Sequence, residues 1–235
     1  MGAMAMGRLT VTTTAMRVGW FVLAGLLALA AYAANFAASS TETSDKNELL
    51  YKWSSAVAGL LQYAIIAGVL YAIARQLAPS ALGLNRPESW GRALGYAAAA
   101  LVTVFVIGAV LNIFLKAGQE QGLVPDRWEA SRAAPFIANF IVVAVVAPIV
   151  EELTYRGLGF AVLRDMYGQT PAIIGCGLAF GLAHGLFVAL PILAIFGMIL
   201  AWLRAKTDSI YPSMLLHATF NSLALIVAVA GGGSM

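Results

Sequence analysis

Long apolar runs broken by short polar stretches set the pattern of this chain. Seven runs can be marked off, at residues 18–38, 53–74, 93–115, 134–163, 171–187, 190–203 and 209–230. A helix needs about 20 apolar residues to cross a hydrocarbon core about 30 Å thick. The pattern therefore predicts an all-α, polytopic membrane protein of about seven transmembrane helices. The fourth run is close to about 30 residues long, which predicts tilt, a kink at Pro148 or extension beyond the bilayer. The sixth is short, with Pro191 in its first turn. The first run has a basic flank and an Ala-rich end, features shared with signal peptides. Its length favours an uncleaved helix.

Composition sharpens this reading. The chain is 61% hydrophobic and 11% charged, against about a quarter charged in soluble domains. The net charge of +3 is too small to point to nucleic acid, and its placement matters more than its size. Lys and Arg collect in the N-terminal stretch (Arg8, Arg17), the 75–92 loop (Arg75, Arg86, Arg92), the 164–170 turn and the 204–208 turn (Arg204, Lys206). The 39–52 and 116–133 loops carry as many acids as bases, or more. The two groups alternate as the positive-inside rule requires for seven spans with a cytoplasmic N-terminus. Trp20, Trp53, Trp90, Trp128, Trp202 and Tyr211 fall near run ends and read as interface anchors. Cys176 is the one cysteine. It excludes an internal disulfide and a cysteine-based metal site and reads as a small packing residue.

Three polar patches interrupt the later runs. The first is Glu151-Glu152-Leu153-Thr154-Tyr155-Arg156, the second ends at His184, and the third is His217 to Asn221. An ionisable group at bilayer depth costs several kcal/mol unless paired or hydrated, and so marks a functional site by default. At 1.5 Å per residue, Glu151 lies about 18 Å from the 163 end of its run and His184 about 20 Å from the start of its own. His217 and Asn221 lie about 14 and 20 Å from Asp208. All four occupy one band of depth.

Spacing assigns partners. Glu152 and Arg156 are four residues apart and share a helix face, so they can form an ion pair. Glu151 is about 100° round the helix and is left for chemistry. Phe180 shares a face with His184, and His217 with Asn221. A His and an Asn one turn apart make a donor pair for an oxyanion. The plainer reading gives each of these polar groups a structural role as hydrogen-bonding glue between helices.

Glu151-Glu152-x-x-x-Arg156, Phe180-x-x-x-His184 and His217-x-x-x-Asn221 resemble the three motifs of the CPBP family of intramembrane proteases. This family comprises the CAAX proteases and bacteriocin-processing enzymes, also called the Abi family. The motifs stand in the family's order, each following the previous one by about 33 residues. The segment Ala81-Leu82-Gly83-Leu84-Asn85-Arg86-Pro87 resembles a loop sequence common in these proteins. Thr154-Tyr155 departs from the Leu or Phe usual before the arginine. The resemblance covers a catalytic core at 134–230. Residues 1–133 supply transmembrane helices 1–3 with likeness in hydropathy only, and 231–235 form a flexible tail.

The resemblance implies an intramembrane endopeptidase with a conical catalytic cavity. Glu151 and His184 would activate water, His217 and Asn221 would stabilise the oxyanion, and Glu152, Arg156 and Phe180 would support them. Its substrate would be a membrane-associated or lipidated protein or peptide in a bacterial plasma membrane, with no nucleic-acid partner. The family was first described as metalloproteases. A zinc set of Glu151, His184 and His217 is chemically conceivable, but the two histidines lie on different helices and no His-Glu-x-x-His pair is present. A reaction without a cofactor is preferred. Two other readings compete. A non-catalytic immunity or scaffold protein of the same fold would have lost a motif residue, and none is missing. A proton-coupled carrier would show repeated halves, and no internal repeat is seen.

Overall fold

Every backbone N–H and C=O in a bilayer must find a partner within the protein, and the helix is the local way to do this. The described part of the chain consists of helices joined by turns and loops. The computed structural model describes residues 12–39, 46–116 and 128–231. Arg8, the centres of the 39–52 and 116–133 loops and residues 232–235 of the expected tail lie outside the described residues. Seven helices follow in order. They are α1 (Thr14–Ser39), α2 (Trp53–Ala74), α3 (Trp90–Leu115), α4 (Ala130–Tyr167), α5 (Gln169–Leu182), α6 (Leu190–Thr207) and α7 (Tyr211–Gly231).

Six of the seven are long and apolar enough to cross a membrane, one fewer than the sequence pattern predicts. The exception is α5. Its 14 residues span about 21 Å, short of the hydrocarbon core. The chain there turns at Gly185, which has φ +66°. A Cβ on Gly185 would fall 2.4 Å from the carbonyl carbon of Ala31 in α1. The turn's carbonyls are taken by α1 side chains, Asn35 to Gly185 O at 2.9 Å and Tyr32 to Leu186 O at 3.4 Å. His184 consequently sits just past the end of α5 and not within a span.

α4 is the central element. It is 38 residues long, about 57 Å at helical rise, and it is interrupted at two places. Residues Val142–Val146 and Leu153–Gly159 are wound as π-helix, a form found mostly as short insertions near functional sites. Pro148 lies just past the first of these, in the α-wound stretch Ala147–Glu152. In π winding the carbonyl of Val143 would be bonded by the N–H of residue 148, which proline lacks. The carbonyl is instead taken by Asn221 of α7 at 2.9 Å. In the second insertion the carbonyl of Thr154 accepts the indole N–H of Trp20 at 3.0 Å. Trp20 is therefore a buried helix-packing residue, 2% exposed, and not an interface anchor. Trp53, Trp90 and Trp128 remain exposed.

α5 and α6 form the closest helix pair. Ideal Cβ atoms on Gly177 and Gly197 would fall 2.6 Å from Ala194 O and 2.8 Å from Gly177 Cα. Only glycine permits this approach, the usual device for close packing in lipid. α3 joins α6 and α7 through a stripe of small residues, Ala93, Ala97, Ala100 and Val104. Outward faces are apolar, with Leu26, Ile65, Val106 and Ile226 all exposed, as expected where lipid is the solvent. The 81–87 loop docks on the α6–α7 junction. There the Gly83 carbonyl accepts from Ile210 N at 2.9 Å, and Gly83, at φ +74°, lies flat against the buried Arg204 guanidinium. Arg204 in turn pairs with Asp208 at 2.8 Å. Cys176 is buried, with its thiol donating to Tyr155 O at 3.2 Å.

Candidate active site

Between α2, α4 and α7 and the end of α5 lies a cavity of about 690 Å³. Glu151, His184, His217 and Asn221 all line it, together with Phe180 and Tyr155. Four polar groups spread over 71 positions of sequence thus reach one space, 151 to 221. Most of the remaining wall is apolar, including Leu27, Leu193, Phe196 and Leu225.

The two glutamates have different environments. Glu152 is fully buried and lies 3.0 Å from Arg156 Nη1, also fully buried. Arg156 spends a second N–H on Gly197 O of α6 at 2.9 Å, a contact that the missing side chain of Gly197 leaves open. Its guanidinium also lies over the Phe180 ring, 4.5 Å from the centroid, a cation–π contact strengthened by the dry surroundings. Phe180 is wholly buried and touches both histidine rings, with centroids 4.6 Å from His184 and 5.5 Å from His217. It packs the ion pair and the histidines into one unit.

Glu151 is 20% exposed at its side chain and faces the cavity. Its neighbours are His217 and Tyr63, not the His184 with which the resemblance groups it. His217 sits between the two glutamates, with Nδ1 3.0 Å from Glu152 Oε1 and Nε2 3.8 Å from Glu151 Oε2. Adjacent carboxylates about 100° apart on one helix can both reach a ring inserted between them from another helix, and local spacing does not reveal that ring. Among the described residues no hydrogen bond or ion pair joins Glu151 to His184. His184 Nδ1 instead lies 2.8 Å from Phe180 O, a carbonyl left free at the end of α5. A carbonyl only accepts, so Nδ1 carries a proton, and in the neutral tautomer the lone pair lies on Nε2.

Glu152 and Arg156 form one buried ion pair, and Glu151 is the carboxylate left facing the cavity. Asn221 uses one N–H on Val143 O and retains a second for the cavity.

A residue overlooked by the spacing argument completes the site. Tyr63 of α2 donates its hydroxyl to Glu151 Oε1 at 2.7 Å. Gln62-Tyr63 is the polar interruption at the centre of the second apolar run, a signal that was available in the sequence.

Among the described residues no three His, Cys, Asp or Glu side chains converge as ligands. Nδ1 of His217 is engaged by Glu152 and Nδ1 of His184 by Phe180 O, which leaves Nε2 of each ring as the nitrogen open to the cavity.

Fold and site together define a polytopic helical membrane protein with a buried ion pair and a polar-ended cavity within the bundle. Residues 133–223 match the model of the family described as type II CAAX prenyl endopeptidase Rce1-like, and the chain carries a domain of that family over those residues. Neither a curated protein nor a solved structure matches the chain. Tyr63, Trp20 and Asn35 lie outside the matched range.

Proposed function

We propose that the protein is an intramembrane endopeptidase that hydrolyses a peptide bond in a membrane-associated or lipidated protein or peptide. What supports this reading is the convergence of Glu151, His184, His217 and Asn221 on one cavity in a chain with a CAAX endopeptidase family domain. Glu151 accepts a proton from water, and the water oxygen adds to the substrate carbonyl carbon. His184 assists through Nε2, its lone-pair nitrogen. The carbonyl oxygen gains the negative charge and is held by His217 and by the free N–H of Asn221. The C–N bond then breaks, and the proton on Glu151 passes to the leaving nitrogen. Glu152, Arg156 and Phe180 hold this apparatus in register. No step requires a metal.

For orientation, we place the N-terminus on the cytoplasmic side of a bacterial plasma membrane, following the positive-inside rule. Arg75, Arg86, Arg92, Arg164, Arg204 and Lys206 stand at one end of the helices, at the α2–α3, α4–α5 and α6–α7 connections.

The test uses full-length protein reconstituted in lipid nanodiscs with a fluorogenic peptide ending in a farnesylated cysteine and three further residues. A parallel reaction offers a single-span membrane peptide. Cleavage by the wild type and none by Glu151→Gln supports the reading. Binding of either peptide without cleavage, or equal cleavage by Glu151→Gln, overturns it. Comparing membrane proteomes of cells carrying either form identifies the natural precursor, which accumulates with the variant.

A further inference from the structure

We propose that Tyr63 is a positioning residue for Glu151, so that α2, outside the family-matched segment, is part of the reaction site. The inference rests on the endopeptidase reading and deepens it. Glu151 is exposed enough to the cavity to meet water, and a glutamate on a helix facing open space has several rotamers to choose from. Two other helices restrict it. From α2, the Tyr63 hydroxyl donates to Oε1 at 2.7 Å, within the short range of charge-assisted O–H···O bonds. From α7, His217 Nε2 faces Oε2 at 3.8 Å. The phenol thus occupies one oxygen and presents the other toward His217 and the space where water would be activated.

The surrounding contacts support a dedicated role over incidental helix glue. α2 turns one face to the cavity, with Ser55, Gly59, Gln62, Tyr63 and Ile66 all lining it. Gly59 admits Val142 of the first π segment, since a Cβ there would fall 2.9 Å from Val142 Cγ1. α2 is therefore seated against the π-wound part of α4, close enough for a tyrosine four residues further on to reach Glu151. Glu151 makes its hydrogen bond to Tyr63, while the neighbouring Glu152 is served by Arg156 and His217. Removing the phenol oxygen would leave Oε1 without its donor and the carboxylate free to turn. A misplacement of about 1 Å in a reacting group can reduce rate about a hundredfold.

The experiment compares wild type, Tyr63→Phe and Tyr71→Phe in nanodiscs. Tyr71 lies on the same helix and is 72% exposed, so its variant controls for loss of a hydroxyl from α2. Two readouts are taken. The first does not depend on turnover: the infrared carboxylate band of Glu151, isolated by subtracting the Glu151→Gln spectrum. The second is cleavage of the farnesylated peptide. Tyr63→Phe is expected to keep wild-type helicity and melting, to shift the Glu151 band, and to lower kcat about ten- to a hundredfold with KM within about twofold. Tyr71→Phe is expected to leave both unchanged. An unshifted band in a folded Tyr63→Phe protein overturns the proposal, as does wild-type kcat in that variant. If Glu151→Gln itself cleaves normally, the endopeptidase reading fails instead, and the band alone decides whether Tyr63 orients the carboxylate. If Tyr63→Phe does not fold, tyrosine at position 63 is replaced by 3-fluorotyrosine, which keeps the shape and strengthens the donor. A shifted band then supports the proposal and an unshifted one overturns it.

Discussion

The side-chain amide of Asn221 bonds the main-chain carbonyl of Val143 at 2.9 Å, an acceptor made available because residue 148 is proline. The proline therefore acts on the site through the backbone, by withholding an N–H from a π-wound turn. Pro148→Ala would restore that donor and put it in competition with Asn221. The expected outcome is a protein of equal or higher melting temperature that cleaves substrate more slowly. Thermal unfolding in detergent and the cleavage rate, measured on one preparation, check it. A variant that melts lower and cleaves normally would show that the proline serves the fold alone.

The buried pair of Glu152 and Arg156 is the most sensitive point for folding. Arg156→Met leaves a carboxylate with no exposed surface and without its guanidinium, a change that costs about 3–5 kcal/mol. Loss of expression or a large fall in melting temperature is expected. Arg156→Lys should recover only part of this, because a point-like ammonium cannot serve Glu152 and Gly197 O at once as the planar fork does. Melting curves of the two variants test the order.

Glu151→Gln should behave in the opposite way. The amide keeps an acceptor for Tyr63 and removes no packing, so stability should stay within about 1 kcal/mol. Cleavage should fall by at least about a hundredfold, the usual scale for loss of a general base. A variant that is both inactive and unstable would place Glu151 in the scaffold with Glu152.

Close approach of α5 and α6 depends on glycine. A methyl on Gly177 would meet Ala194 O at 2.6 Å, which backbone cannot easily relieve. Gly177→Ala is expected to destabilise by about 1–3 kcal/mol, the usual cost of overpacking. Gly108→Ala in α3, where nothing lies within 4 Å of the added carbon, should be neutral or slightly stabilising. Paired melting curves check the contrast.

Hydrolysis by Glu151 and His184 without a cofactor predicts that purified protein holds less than one equivalent of zinc and that cleavage survives a strong chelator. Elemental analysis by mass spectrometry and an assay in chelator measure both. Stoichiometric zinc with chelator-sensitive activity would overturn the cofactor-free reaction.

The sequence alone determined the helical, membrane-spanning class, the approximate run boundaries and the identity of the polar residues at depth. These follow from local quantities: hydropathy summed over a run, and the intolerance of lipid for unpaired polar groups. It also determined the Glu152–Arg156 pair, since four residues of helix bring the two together whatever surrounds them. Tertiary structure decided the rest. α5 ends early because Gly185 turns against the backbone of α1. Trp20 is drawn inward to the carbonyl of Thr154 in the second π segment. His217 stands between two glutamates, and Tyr63 reaches Glu151 from a helix 88 residues away in sequence. Each of these depends on which helix face meets which neighbour, and on backbone groups freed where α4 departs from regular winding. Periodicity along one helix carries no information about either.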